Sequence, residues 1–237
     1  MEAIVLAGGL GTRLSSVVPD LPKPMAPIGG RPFLAILLDE LIAAGFTTVI
    51  LAVGYRHEAI RDYFGDTYKS LSLAYSVEQK PMGTGGAISL ALKQTTDPQI
   101  FVVNGDTYLE LDYKAMLAAH LKEKALLTVA VQTVPDANRY GALNIEQGHI
   151  RGFFEKGRSG PGVINGGVYL LSRALFDGYS LPPAFSFETD LLMPHVREIR
   201  PLAFLATGTF IDIGVPEDYA QAQKLLALNS INGSKRQ

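Results

Sequence analysis

The chain has 237 residues, of which 47% are hydrophobic and 19% charged, with a formal net charge of −2. This is the make-up of a folded globule rather than a disordered chain, and its length suits one large α/β domain. The near-neutral balance excludes nucleic acid or an acidic membrane surface as a bulk partner, so any anion binding must be local.

The first element is a short apolar, β-branched run from Ala3 to Ala7, read as a buried strand. It ends abruptly in Gly8-Gly9-Leu10-Gly11-Thr12-Arg13. Glycines at 8, 9 and 11 allow positive φ and a close approach of backbone N–H groups to a ligand. Inward-turned N–H groups form an anion-binding concavity, and Arg13 adds a fork of permanently protonated donors. Lys23 follows, held between Pro22 and Pro24. Strand, glycine loop, Arg13 and Lys23 together read as a polyphosphate cradle. Two better-known loops do not fit. No G-x-x-x-x-G-K-[ST] run occurs, and Leu14 stands where the dinucleotide fingerprint needs its third glycine.

Pro32 then opens a helix carrying Leu34, Leu37, Leu38, Leu41 and Ile42 on one face, with Gly45 as its stop. Residues 47–53 form a continuous apolar strand of the parallel-sheet type. A short helix over 58–64 ends at Gly65, and a strand over 71–77 follows. After the loop from Glu78 come a helix over 85–93, a strand over 99–103, a helix over 113–122 and a strand over 126–131. Beyond about 135 the texture changes to shorter, partly antiparallel strands at 143–145, 150–154 and 163–171. The chain closes with a strand at 202–206, the loop 210–214 and a helix over 216–228, leaving a polar tail at 229–237.

Such alternation predicts an α/β fold: a Rossmann-like, mostly parallel sheet with helices on both faces. We expect a single domain over 1–228, with a nucleotide-binding half (1–134) and a sugar-phosphate-binding lobe (135–228) built on the same sheet. Ligands in such sheets bind at the carboxyl ends of strands. The glycine loop and Asn104-Gly105-Asp106 would both lie there.

Asp106, directly behind an apolar strand and facing the cradle, suits a hard divalent cation, and Asp212 stands in a similar setting. Mg²⁺ takes one or two carboxylates and completes its shell with phosphate oxygens and water. Either aspartate alone could simply cap a helix. Gln79 can donate and accept to a base edge, and Gly83, Gly85 and Gly86 would let backbone approach a flat ring. Thr84 reads equally as the cap of the next helix. Tyr140, Gly141, Glu155, Lys156, Asn165, Gly166 and Glu188 supply the polar groups that recognise hydroxyls and a phosphate. Asp190 reads as a charge complementing a helix N-terminus. There is no cysteine, hence no thiolate or zinc–sulfur chemistry, and the four histidines show no metal-ligand spacing. The N-terminus does not read as a signal peptide, and no stretch approaches a membrane span, so a cytoplasmic address is expected.

These residues resemble the sugar-1-phosphate nucleotidylyltransferases over nearly the whole chain. The resemblance rests on Leu6 to Leu14, Pro22-Lys23-Pro24, Gly83 to Ala87, Asn104-Gly105-Asp106, Glu155-Lys156, Asn165 to Tyr169 and Asp212 to Asp218. It implies a Mg²⁺-dependent reaction in which a sugar 1-phosphate and a nucleoside triphosphate give a nucleotide-sugar and pyrophosphate. By that resemblance Leu6, Ala7, Gly8, Gly9, Gly11, Thr12 and Arg13 hold the triphosphate, with Arg13 on the departing pyrophosphate. Lys23 binds phosphate on the α side, and Gln79, Pro81, Gly83, Thr84 and Gly105 complete the nucleotide site. Asp106 and Asp212 hold the metal, Lys156 the sugar phosphate, and Asn104, Tyr140, Gly141, Glu155, Asn165, Gly166 and Glu188 the sugar.

Among short members, the stretches 17–21, 104–112 and 185–192 look most like D-glycero-D-manno-heptose 1-phosphate guanylyltransferases, implying GTP, that heptose 1-phosphate and a role in bacterial surface-glycan synthesis. UTP with N-acetylmuramate 1-phosphate, CTP or dTTP with glucose 1-phosphate, and mannose 1-phosphate stay open. A homodimer is allowed by the resemblance. A catalytically idle nucleotide-binding regulator is disfavoured by the retention of Arg13, Lys23, Asp106, Lys156 and Asp212. An oxidoreductase is disfavoured by the missing third glycine.

Overall fold

The structure, a computed structural model, describes residues 1–9, 21–154, 157 and 159–233, with side chains described to residue 226. The expected cradle residues Gly11, Thr12 and Arg13, and the pair Glu155-Lys156, lie outside the described residues.

In chain order the strands are β1 (Glu2–Leu6), β2 (Pro27–Ile28), β3 (Arg31–Pro32), β4 (Thr48–Val53), β5 (Thr67–Tyr68), β6 (Leu71–Val77) and β7 (Gln99–Asn104). They continue as β8 (Thr107–Leu109), β9 (Leu127–Val134), β10 (Leu143–Glu146), β11 (His149–Phe153), β12 (Gly162–Ser172), β13 (Leu202–Ala206) and β14 (Phe210–Asp212). The helices are α1 (Phe33–Ala44), α2 (His57–Phe64), α3 (Gly83–Leu92), α4 (Tyr113–Glu123), α5 (Val196–Ile199) and α6 (Pro216–Gly233). Among the described residues one sheet runs β10-β11-β13-β9-β12-β7-β1-β4-β6-β5. Strands β7, β1, β4 and β6 are mutually parallel, and β12 pairs antiparallel with both β7 and β9. The expected mostly parallel α/β sheet is therefore what forms, with the later strands joined to the same sheet.

The termini of the helices follow their sequences. Gly45 caps α1 at φ +90°, a backbone conformation that costs glycine nothing, and its N–H reaches Ile42 O at 2.9 Å. Pro32 stands one residue before the first helical turn, where it also lies opposite Pro27 in the short β2–β3 pair. Asp112 caps α4 by accepting from Ala115 N at 2.9 Å. The last helix continues to Gly233, past the expected end at 228. Among the described residues no helix is long and apolar enough to cross a membrane.

Two apolar layers sandwich the sheet. On one side Phe46, Phe101 and Tyr113 meet edge to face, with centroids 5.2, 5.2 and 5.4 Å apart, tying α4 to the middle of the sheet. Phe101 is fully buried, worth roughly 2 kcal/mol for its side chain alone. His120, buried on α4, bonds Thr128 Oγ1 at 2.8 Å and Gln99 Oε1 at 2.9 Å through its two ring nitrogens. The other layer packs α3 and the turn at Phe187–Leu192 against the opposite face.

The path of the chain fixes where a ligand can sit. From β1 it runs outward to β4 and β6, then returns to place β7 on the other flank of β1. The order reverses there, leaving a crevice beyond the carboxyl ends of β1 and β7. Leu6 is level with Asn104 across that pair, and Gly105 N–H bonds Leu6 O at 2.9 Å. A Cβ at Gly105 would sit 2.5 Å from that carbonyl, so only glycine permits the approach.

Candidate active site

Two concavities meet at this switch point. The larger, about 720 Å³, opens over the ends of β1, β4 and β6. Leu6, Ala7, Gly8, Gly9, Lys23, Gln79, Pro81, Gly83, Thr84, Asn104 and Asp106, all expected from sequence, line it. Gly105 lies beneath the floor as the packing residue just described. The smaller, about 430 Å³, holds the expected Asn104, Tyr140, Asn165, Glu188 and Asp212 on its lining. Gly141 and Gly166 are not on that lining. Gly141 turns the chain at φ +81°, and Gly166 packs so closely that a Cβ would meet Leu109 at 2.9 Å and the Ala130 carbonyl at 3.0 Å.

Lys23 follows Pro22 on a tight turn and donates to Asp106 Oδ2 at 2.6 Å. Asp106 Oδ1 accepts from Thr107 Oγ1 at 3.3 Å. Asp212 arrives from a distant part of the chain because β14 pairs with β8, setting Asp212 opposite Thr107. The Ile213 N–H then bonds the Asp106 carbonyl at 3.0 Å. Burial and the charge of Asp106 push the Asp212 carboxyl above the usual range, against the opposing pull of Lys23 and the Gly214 N–H. Two carboxylates drawn together beside a phosphate-sized opening fit a cation that completes its shell with ligand oxygens. Among the described residues no group of three or more His, Asp or Glu is placed to hold a metal by itself.

Of the glycines after β6, Gly83 stands on the cleft lining as expected, and all three also press against the chain's own later residues. A Cβ at Gly83 would lie 2.5 Å from the Phe185 carbonyl, one at Gly85 2.1 Å from the Phe185 ring, and one at Gly86 2.5 Å from the Pro183 carbonyl. The flat ring approached at Gly85 is the chain's own phenylalanine. Thr84 likewise caps no helix of its own. Its Oγ1 accepts from Phe187 N at 2.9 Å, anchoring the turn that carries Glu188. Ser186 caps that turn through Thr189 N, and Asp190 accepts from Ser186 N at 2.7 Å, so Asp190 plays the expected terminal role.

Around the smaller pocket, Asn165 sits at a bulge in β12. Its amide donates to Tyr169 Oη at 2.6 Å and its carbonyl accepts from Gly167 N at 3.0 Å. Arg139 makes a two-pronged bond to Asp218 on α6, with its guanidinium over the Tyr140 ring. Sequence reasoning missed Thr107 on the smaller pocket's lining and the Tyr55–His57 wall and Glu78 on that of the larger cleft. Gly54, directly after a buried strand like Gly8, is the signal that could have found the Tyr55–His57 wall.

The model of the nucleotidyl transferase family matches residues 2–228. The chain belongs to the nucleotidyl transferase family. Within that family it is 46% identical over 226 residues to D-glycero-alpha-D-manno-heptose 1-phosphate guanylyltransferase of Aneurinibacillus thermoaerophilus, covering 95% of this chain and 98% of that one. The crystal structure of HddC from Yersinia pseudotuberculosis is similar at a TM-score of 0.86 and 41% identity, covering 94% of this chain and 98% of that chain. HddC complexed with GMP-PN gives 0.83 and 40% over the same shares. In this nucleotidyl transferase Gly8 and Gly9, the described part of the glycine-rich opening, thus line the larger cleft.

Proposed function

We propose that this chain transfers a guanylyl group from GTP to D-glycero-α-D-manno-heptose 1-phosphate, giving GDP-heptose and pyrophosphate. The observation that carries the reading is the meeting of two cavities at Asn104, with Asp106 on the lining of the larger and Asp212 on that of the smaller. The base and sugar come from the relatives, whose names are those of heptose 1-phosphate guanylyltransferases.

The sugar-phosphate oxygen forms a bond to the α-phosphorus while the bond from that phosphorus to the β-phosphate oxygen breaks, and pyrophosphate leaves. A phosphate monoester has a second pKa near 6, so the attacking oxygen is already ionised at neutral pH and no general base is required. What remains is charge crowding and alignment. Gly8 and Gly9, after β1, line the cleft where the triphosphate would lie. Lys23 stands beside Asp106, within reach of the α-phosphate side. Asn104 and Glu188 line the pocket where sugar hydroxyls would lie, and Asn165 orients Tyr169 there. Arg13 and Lys156, assigned by resemblance to the pyrophosphate and the sugar phosphate, lie outside the described residues. Asp106 and Asp212 would hold Mg²⁺, which when bound neutralises charge on the phosphate oxygens. We place the reaction in the cytoplasm, supplying bacterial surface-glycan synthesis.

The test is pyrophosphate release with Mg²⁺ across GTP, UTP, CTP, dTTP and ATP, each paired with heptose, mannose, glucose and N-acetylmuramate 1-phosphates. Turnover confined to GTP and the heptose is expected. Turnover with another pair keeps the transfer and discards the guanylyl reading. Nucleotide binding with no turnover for any pair would make the chain a regulator.

A further inference from the structure

Lys23 and Asp106 line the larger cleft already joined to each other. Proline on either side and the 2.7 Å bond from Met25 N to Pro22 O fix the Lys23 backbone, and Pro24 and Met25 are buried. The Lys23 ammonium donates to Asp106 Oδ2 at 2.6 Å, with the lysine side chain 13% and the aspartate side chain 38% exposed. Oδ1 of that carboxylate accepts from Thr107 Oγ1 at 3.3 Å. Asp212, brought opposite Thr107 by the β8–β14 pair, gives its Oδ1 to Gly214 N at 2.7 Å. Among the described residues no other Lys, Arg or His forms an ion pair with Asp106 or Asp212. The carboxylate best placed for a metal is therefore already held by a cation of the chain itself.

We propose that Lys23 gates the cation site, its ammonium holding Asp106 until a nucleotide phosphate draws it away. The inference rests on the assignment of Asp106 and Asp212 to Mg²⁺ and not on which base or sugar is used. An ammonium 2.6 Å from Oδ2 repels a dication approaching the same oxygen, so the two do not share it. A triphosphate in the cleft changes that balance. Lys23 then trades a carboxylate for a phosphate oxygen, and Asp106 trades an ammonium for the metal that the triphosphate brings. Each loses one charged partner and gains another, so neither is left buried and unpaired during the swap. Only the Lys23 side chain has to turn, because its backbone is pinned between prolines. The protein alone therefore binds the metal poorly, and the metal enters with the nucleotide. Until then Lys23 also offsets the repulsion between two carboxylates that the fold draws together.

The experiment measures the Kd of Mn²⁺ for the nucleotide-free protein, counting free Mn²⁺ by electron paramagnetic resonance. Mn²⁺ is the probe because it takes the same oxygen ligands as Mg²⁺. Lys23→Met keeps the length of the stem and loses the charge. It should bind Mn²⁺ at least about 10-fold more tightly than wild type, the scale of one hydrogen bond to a charged group. Lys23→Gln should show the same gain and carries the test if Lys23→Met does not fold. Lys23→Arg keeps the charge and should stay at the wild-type Kd. Adding Asp106→Asn to Lys23→Met should abolish the gain. Folded Lys23→Met and Lys23→Gln proteins with the wild-type Kd overturn the gate and leave the metal assignment standing. So does a Lys23→Arg protein that gains as much as Lys23→Met. A gain that persists in the Lys23→Met, Asp106→Asn double variant brings down the metal assignment and the gate with it.

Discussion

Apart from the Lys23–Asp106 pair, the larger cleft, proposed for the nucleotide, is shaped by backbone lying against backbone, whereas the smaller pocket, proposed for the sugar phosphate, is braced by side chains bonded to side chains. On the first side Gly105 meets the Leu6 carbonyl, and Gly8 and Gly54 lie against each other beside Glu78. On the second, Asn165 holds Tyr169, and Arg139 holds Asp218. The difference teaches where substitution can occur. An added Cβ would meet the Leu6 carbonyl at Gly105 and the Glu78 carboxylate at Gly8, whereas Gly9 leaves room for one. A side-chain-built pocket can be re-cut one residue at a time, and so suits the substrate that varies between enzymes.

The comparison can be broken most sharply where the two sides join. Asp106→Asn should lower kcat by at least about 10²-fold with Mg²⁺ through loss of a metal ligand. Near-normal metal-dependent turnover would remove Asp106 from that role. Gly105→Ala tests the backbone side. The added methyl has nowhere to go against the Leu6 carbonyl and should cost about 1–3 kcal/mol in urea unfolding, as overpacking does. An unchanged unfolding midpoint would show that the strands can part. The smallest effect belongs to the sugar side. A double-mutant cycle on Arg139→Ala and Asp218→Asn should give a coupling of about 0.5–1 kcal/mol, because Arg139 is half exposed to water. Its kinetic mark should be a raised KM for the sugar phosphate at unchanged KM for the nucleotide. The reverse pattern would assign the pair to the other cleft.

Much of this was legible in the sequence because local rules and tertiary needs coincide there. The strands 48–53 and 99–104 are apolar runs and 71–77 alternates, and Gly45 and Gly65 stop their helices where expected. Lys23 and Asp106 were both read as site residues, yet their ion pair was not, since nothing local states which loop meets which. The glycines at 83, 85 and 86 show the same limit. Their need for space was evident, but the atoms filling it come from Pro183 and Phe185, about a hundred positions on. The partner of Asp212 is likewise set by the β8–β14 pairing, a contact without local periodicity.

His120 was set aside as one of four scattered histidines, but its burial between Thr128 and Gln99 links folding to protons. Burial drives its pKa down to about 4, whereas the unfolded chain takes up the proton near 6.5. Between those values the unfolded state binds more protons, so stability rises with pH across the window and is lost on acidification. The urea midpoint should fall from pH 7 to pH 5 by the equivalent of about 1–2 kcal/mol, and His120→Asn should flatten that slope. A ring on the lining of neither cavity thus sets a lower acid limit on the chain.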